Sequence, residues 1–209
     1  MPDPGRPRDP DVDARILTAA RQILDAEGAS ALSVARVARE AGVGRPTVYR
    51  RYQDADELLR GVLFAELDAI LDANRASMAA TEPTGPVVDD LVLMAEQSFR
   101  FYAANPSRSK ALLSVSMLAE PKWQKRWDAL NAEVAAIAMR VLQAGVDRGE
   151  LPAEADLFLA LQGYLLLFLG VLVAGLNGAY GPDVDSWCAA LHALVEQQLS
   201  GMLQRAADG

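Results

Sequence analysis

Apolar residues recur every three or four positions along most of this chain, and glycine or proline interrupts the pattern at intervals of about one helix length. Side chains with that spacing share one face of an α-helix, and the interruptions mark the helix ends. No window shows the two-residue alternation of a β-strand, and the chain contains no internal repeat. The sequence therefore predicts an all-α fold of about nine helices.

Signals for helix ends are most specific in the first third of the chain. Ser33 has the side-chain oxygen of an N-cap, and Pro46 falls in the first turn of a short helix opened by Gly44, where its missing N–H is not needed. Asp54 and Glu57 have the spacing of a capping box. The predicted helices cover about 11–27, 34–41, a short segment from 44, 54–80, 87–104, 107–119, 122–148, 153–179 and a last segment from about 183.

Positive charge is concentrated in one short stretch of an acidic protein. The formal net charge is -8, yet residues 1–60 balance ten arginines against ten acidic residues, so residues 61–209 contribute all of the excess. The twelve residues AGVGRPTVYRRY at 41–52 contain three arginines, two tyrosines and no carboxylate. The N-terminal third is therefore the part predicted to bind a polyanion, because the acidic remainder would repel one.

Composition excludes several classes of protein. A chain with 51% hydrophobic residues is not mainly disordered. Cys188 is the single cysteine and the first ten residues lack the apolar run of a secretory signal, so we expect a cytoplasmic protein with residues 1–10 as a flexible arm. His192, the single histidine, lies four residues after Cys188 with no carboxylate spaced to complete a metal site. Without a catalytic triad, phosphate-binding loop or metal motif, we expect no enzyme, no metal and no cofactor.

Residues 34–52 have the pattern of a helix-turn-helix, two short helices joined by a turn at Gly42. The second helix of this motif enters the major groove of DNA, where residues near its N-terminus contact base edges. Arginine can pair with guanine there, and proline or a threonine methyl can pack on thymine. The predicted groove-facing residues are Gly44, Arg45, Pro46, Thr47 and Arg50, and the residues predicted to contact phosphate are Tyr49, Arg51 and Tyr52.

These positions are part of a longer ordered match. It comprises Arg15-Ile16-Leu17, Ala19-Ala20, Gly28, Leu32-Ser33-Val34, Val37-Ala38, Ala41-Gly42-Val43, Thr47-Val48-Tyr49, Tyr52 and Asp56-Glu57-Leu58-Leu59. In these residues the chain resembles the TetR family of one-component transcriptional regulators. The resemblance implies a homodimer with a DNA-binding domain at 11–53 and an effector-binding and dimerisation domain at 54–209. It also implies that Ser33 contacts phosphate. The chain departs from many relatives at Ala55, where lysine is common, and at Pro46, where glycine is common.

The resemblance places an effector cavity among helices five to eight. Aromatic and methionine side chains in these helices suit an adaptable apolar pocket, although each alone also suits an ordinary core. The candidate lining residues are Phe99, Tyr102, Met117, Leu118, Trp123, Trp127, Tyr164 and Phe168. The implied partners are double-stranded operator DNA and an apolar or aromatic small molecule that releases a repressor from a palindromic operator. The sequence does not separate a repressor from an activator.

Residues 157–176 carry no charge and are long enough to cross a bilayer. A membrane-anchored helical protein is therefore one alternative, and an enzyme on the same fold is another. Gln162 and several glycines dilute the run, however, and no basic residue between Arg148 and Arg205 sets an orientation. We instead predict a dimer interface, because small residues let two helices approach closely. Its predicted residues are Gly163, Gly170, Ala174 and Gly178, with Leu191, Leu194, Val195 and Leu199 of the last helix.

Overall fold

The computed structural model describes residues 10–79, 83–117 and 121–207, and all regular structure in these ranges is helical. The nine α-helices found there confirm the predicted all-α fold. Their bounds are α1 Pro10–Glu27, α2 Val34–Glu40, α3 Arg45–Tyr49, α4 Ala55–Ala79, α5 Val87–Ala104, α6 Pro106–Met117, α7 Pro121–Asp147, α8 Leu157–Leu176 and α9 Val184–Ala207. The predicted flexible arm lies outside the described residues, except for Pro10, which begins α1.

Helices α1, α2 and α3 form an N-terminal unit that we call the head. The side-chain oxygen of Ser33 accepts a hydrogen bond from the N–H of Arg36 at 3.3 Å, which confirms the predicted N-cap of α2. Gly42 follows α2 with φ of 64°, a conformation that costs glycine little and other residues more. Helix α3 has only five residues, and Val48 is its one buried side chain. Because so short a helix is not stable alone, its position depends on this packing.

Helix α4 begins at the predicted cap. The carboxylate of Asp54 accepts the N–H of Glu57 at 2.7 Å. The carboxylate of Glu57 accepts the N–H of Gln53, also at 2.7 Å, so its bond lies one residue earlier than in a standard capping box. From this start α4 contacts α1 of the head and also α5 and α6 of the remaining unit, α5 to α9, which we call the body.

Helix α8 is shorter than the sequence predicted, since it runs from Leu157 to Leu176 rather than over 153–179. The N–H of Ala155 donates to the carbonyl of Pro152 at 3.0 Å, which closes a turn before the helix. The carboxylate of Asp156 then accepts the N–H of Leu159 at 3.0 Å and caps it. Gly178 has φ of 86° and lies beyond the end of α8. Gly178 therefore belongs to the terminating turn and not to the small-residue face predicted for this helix.

Aromatic side chains fill the centre of the body. The ring of Phe99 stacks on Phe168 with centroids 5.1 Å apart and meets the edge of Trp187 at 5.8 Å. Tyr164 is buried one turn of α8 before Phe168, and its hydroxyl donates to a backbone carbonyl of α5 at 3.0 Å. Gly175 leaves room for the indole, because a Cβ at that position would lie 2.4 Å from an atom of the Trp187 ring. The glycine in α8 therefore permits close contact with α9 inside one subunit.

The apolar stripe of α9 faces the subunit interior. Leu191, Val195 and Leu199 belong to the buried core, and α9 packs against α5 and α8. This placement contradicts their predicted position in a dimer interface, because a partner subunit cannot reach side chains that are already covered. Leu194, the fourth predicted residue of this stripe, is exposed. The sequence pattern identified an apolar face but not which neighbour covers it.

We expect Gly175→Ala to lower the free energy of unfolding by about 1 to 3 kcal/mol, because the added methyl group displaces Trp187. Gly201→Ala is the matched control in α9, where a Cβ would meet nothing within 4 Å. That control gains helix propensity and is expected to be neutral or stabilising by up to about 1 kcal/mol. Urea unfolding of the three proteins at one protein concentration measures both effects. Equal stability of Gly175→Ala and the parent would contradict the packing described.

Candidate nucleic-acid interface

The surface formed by α3 and the N-terminus of α2 presents most of the residues predicted to bind DNA. Tyr49 is 56% exposed, and Thr47 is half-buried. The exposed predicted residues are Ser33, Gly44, Arg45, Pro46, Tyr49 and Arg50. Val48 points the other way and is fully buried, so α3 is attached to the head by one face and exposes the opposite one. This geometry leaves the N-terminal turn of α3 accessible to a large ligand.

A groove of about 490 Å³ lies between the starts of α2 and α3. Three arginines line it, together with one hydroxyl and several small apolar residues. The lining residues are Ser33, Ala35, Arg36, Ala38, Arg39, Val43 and Arg45. No acidic residue lines this groove. Two of these arginines, Arg39 and Arg45, are exposed beside the N-cap of α2 and suit an anionic group such as a phosphate.

The two arginines of α2 have different environments. Both terminal nitrogens of Arg36 donate to the carboxylate of Glu27 in α1, one of them at 2.8 Å. These bonds hold the pKa of Glu27 below its ordinary value and raise the pKa of Arg36. Arg39 has a side chain that is 73% exposed and makes one contact of 3.5 Å with Glu40. Arg36 is thus committed to joining α1 and α2, whereas Arg39 extends into solvent.

Two residues predicted to contact phosphate lie partly inside the protein instead. The Arg51 side chain is 10% exposed and forms an ion pair with Asp13 of α1. Tyr52 is half-buried with its ring over Gly61 of α4, where a Cβ would approach the ring to 2.7 Å. The sequence identified both as polar groups next to α3, but their burial depends on α1 and α4, which are distant along the chain.

A buried carboxylate connects the head to the body. Glu66 of α4 is 6% exposed, and its two oxygens lie 2.5 Å from Arg21 of α1 and 3.7 Å from Arg108 of α6. Arg108 also donates to both oxygens of Asp25 in α1, at 2.8 and 3.0 Å. We call Arg21, Asp25, Glu66 and Arg108 the junction network. This network was not predicted from the sequence, although a glutamate four residues after Val62 on an apolar face is a detectable signal.

The candidate cavity residues whose side chains are described belong to the buried core or pack against it. Phe99, Tyr102 and Tyr164 are buried, and Phe168 is the partly exposed member of the set. Burial raises the pKa of Tyr102 to about 12 and also raises the pKa of Tyr164, so both hydroxyls remain protonated. The side chains of Met117, Trp123 and Trp127, and the whole of Leu118, lie outside the described part of the chain.

Helix α8 exposes an apolar strip that we call the α8 outer face, formed by Phe158, Leu159, Leu166 and Val173. Leu166 is 71% exposed, and a Cβ on Gly170 would meet nothing within 4 Å. A groove of about 520 Å³ beside this face is lined by Leu159, Gly163, Leu166, Leu167, Leu194, Gln197 and Gln198. Among the described helices, α8 alone is long and apolar enough to cross a membrane by length and composition.

Two of the predicted small residues lie at the edge of that face. Gly163 approaches α9 of the same subunit, because a Cβ there would lie 2.0 Å from the side-chain nitrogen of Gln198. That nitrogen donates to the carbonyl of Ala160 at 3.0 Å, so α8 and α9 are joined across Gly163. Ala174 is half-buried. Of the predicted small residues that lie within α8, Gly170 is therefore the one that is fully open.

A short exposed helix after a tight turn, carried on a helical body, defines a DNA-binding protein of the helix-turn-helix class. The family model described as "Bacterial regulatory proteins, tetR family" matches residues 16–62. The uncharacterized HTH-type transcriptional regulator Rv1556 of Mycobacterium tuberculosis is 30% identical over 172 residues, which cover 79% of this chain and 77% of that protein. The chain belongs to the TetR family of transcriptional regulators.

Solved structures share this fold at low sequence identity. The transcriptional regulator FadR from Bacillus subtilis, in complex with stearoyl-CoA, superposes with a TM-score of 0.63 at 17% identity, covering 90% of this chain and 98% of that one. SmeT, the repressor of the Stenotrophomonas maltophilia multidrug efflux pump SmeDEF, gives a TM-score of 0.62 at 19% identity, covering 90% and 91%. These likenesses support the nine-helix architecture, and identities this low establish the fold alone.

Proposed function

We propose that this protein is a dimeric repressor in the cytoplasm, released from a palindromic operator by an apolar or aromatic small molecule. The main observation in support of DNA binding is the exposed surface of α3, which contains no acidic residue and lies next to the N-cap of α2. Residues 11–53 would form the DNA-binding domain and residues 54–209 the effector-binding and dimerisation domain. FadR and SmeT, with the same fold, support this assignment through a bound acyl-CoA in one and a repressor role in the other.

In the proposed complex α3 is the recognition helix. Arg45, Pro46 and Thr47 lie at its N-terminal end, where this motif contacts base edges. The Ser33 hydroxyl and Tyr49 are positioned on the exposed side to contact phosphates. Arg39 is a further phosphate-binding candidate, and its position beside the arginine-lined groove with a solvent-exposed side chain supports this. Arg51 and Tyr52 are left out of this interface because they pack against α1 and α4.

We expect Tyr49→Ala and Thr47→Ala each to weaken operator binding about 5- to 150-fold, since one good contact contributes about 1 to 3 kcal/mol. The operator is obtained by selecting bound sites from random DNA, and affinity is measured by fluorescence anisotropy. Lys125→Ala, which removes an exposed cation from α7 outside the head, is the control and leaves affinity unchanged. Unchanged binding by both α3 variants would exclude α3 as the recognition helix.

Arg45→Ala tests direct base recognition. If Arg45 contacts a base edge, the variant loses affinity for the selected operator and accepts substitutions at one operator position. Repeating the selection with the variant measures that relaxed preference. An equal loss on operator and scrambled DNA would instead identify Arg45 as a phosphate contact.

The dimer would form through the α8 outer face and Leu194. A helix that is apolar all round is normally buried all round, yet the subunit covers only one side of α8. The uncovered side carries leucine, valine and phenylalanine around the open position of Gly170, which allows a second helix to approach closely. A second copy of the same chain is the occupant that a palindromic operator requires, because two heads must bind two half-sites.

Leu166→Asp and Gly170→Leu are each expected to dissociate the dimer, the first by burying an unpaired charge and the second by steric exclusion. Sedimentation without detergent would show the parent at twice the 22.4 kDa chain mass and both variants near the single-chain mass. Leu93→Asp, at an exposed leucine of α5, is the control and stays dimeric. Normal dimers in both α8 variants would remove this face from the interface, and a parent that is insoluble without detergent would favour the membrane alternative.

The effector would bind beside the aromatic core and act on the head through α4. Phe168 is the partly exposed aromatic residue, so it is the member that a ligand could displace without opening the buried rings. The junction network gives a route for coupling, because Arg108 of α6 contacts both α1 and α4. A ligand releases DNA only if it binds one arrangement of the heads more tightly, and a tenfold preference corresponds to about 1.4 kcal/mol.

A thermal-shift screen of apolar and aromatic compounds, including stearoyl-CoA, would identify a ligand. We expect it to weaken operator binding and operator DNA to weaken its binding by the same factor. Glu66→Gln is expected to reduce the factor by which effector and operator weaken each other's binding, because the neutral amide no longer forms ion pairs with Arg21 and Arg108. The variant should still bind the effector and the operator separately. Arg100→Met, which breaks a surface pair between α5 and α9, is the control. Ligand affinity that is identical with and without operator would show that the sites are uncoupled.

A further inference from the structure

The side chain of Arg51 joins the start of α1 to the recognition helix. Its Nε donates to the carboxylate of Asp13, in the first turn of α1. Its Nη1 donates to the backbone carbonyl of Thr47 in α3 at 3.3 Å. The Arg51 side chain is 10% exposed, so its guanidinium is occupied within the head rather than presented to DNA.

We propose that Asp13 and Arg51 are positioning residues that fix the orientation of α3 for operator binding. This inference rests on the proposed role of α3 as the recognition helix. Val48 attaches α3 at one buried point, about which a helix of five residues could turn. The ion pair between Asp13 of α1 and Arg51, two residues after α3, is a second point of attachment, and the bond from Arg51 to the Thr47 carbonyl connects it to the backbone of α3. Asp13 holds the guanidinium in place, and only arginine donates from a planar group toward both partners at once.

The positioning role and simple electrostatics predict opposite effects for Asp13. Removing a carboxylate near a DNA-binding surface normally strengthens binding, because less negative charge faces the phosphates. Loss of positioning weakens binding to the operator, where the base contacts depend on the angle of α3. Binding to scrambled DNA depends on charge and is little affected by that angle. The ratio of operator affinity to scrambled-DNA affinity therefore separates the two effects.

The test uses Asp13→Asn in the full-length protein, with the selected operator and a scrambled duplex of equal length. Titration of the operator at concentrations well above the dissociation constant gives the fraction of protein that can bind. The dissociation constant is then calculated from the active protein alone, so misfolded molecules do not affect it. We expect operator affinity to fall about tenfold, the loss typical of one charged hydrogen bond, while scrambled-DNA affinity stays the same or rises. Asp56→Asn, at an exposed position in the first turn of α4, removes the same charge and is expected to weaken neither. If Asp13→Asn behaves like Asp56→Asn, the proposal is overturned.

Arg51 variants distinguish positioning from a phosphate contact. Arg51→Lys keeps the charge but cannot reach both partners, so we expect about a tenfold loss of operator affinity with an unchanged salt dependence. For comparison, Arg39→Ala should lower the slope of log affinity against log salt by about 0.9. Full affinity in Arg51→Lys, or a similar slope change in Arg51→Ala, would make Arg51 a phosphate ligand and refute the proposal. A separate result would exclude α3 as the recognition helix: normal operator binding by Tyr49→Ala and Thr47→Ala. The positioning role of Asp13 and Arg51 would then be excluded as well.

Discussion

Helix α4 belongs to the head and the body at the same time, and the rest of the structure depends on this sharing. Its buried residues include Leu58 and Leu67, nine positions apart on one helix, and it contacts α1 on one side and α5 and α6 on the other. A single helix shared by both cores couples the position of the head to that of the body. Glu66 strengthens that constraint, because a buried carboxylate requires cationic partners and these come from α1 and α6.

Much of the helical architecture was predictable because helix ends are local. The N-cap at Ser33 and the positive φ at Gly42 involve residues within a few positions of each other, so the sequence contains the whole signal. The start of α8 was placed too early for the same local reason. The predicted helix began at residue 153, directly after the break at Pro152, whereas the carboxylate of Asp156 caps the helix three residues later.

The directions in which side chains face were less predictable, since they depend on residues distant in the chain. Arg51 was assigned to phosphate because it follows α3, but Asp13, 38 positions away, occupies its guanidinium. Arg36 is likewise paired with Glu27. Counting charges predicts a cationic patch but does not specify which arginines are exposed. In the structure the exposed arginines of α2, α3 and the turn after α3 are Arg39, Arg45 and Arg50. The contacts of these three with DNA remain predictions.

The same dependence on distant residues explains why the buried faces of α8 and α9 could not be predicted. Helix α8 carries apolar residues on more than one face and α9 carries a single apolar stripe, so periodicity alone could not say which neighbour covers each apolar face. Trp187 over Gly175 and the Gln198 bond across Gly163 fix the internal face of α8 against α9. Once those contacts are made, Leu166 and its neighbours can only face outward, and covering them would remove apolar surface from water at about 25 cal/mol per Å². Tight packing of α8 against α9 is thus what leaves the remaining apolar surface of α8 exposed for the proposed dimer.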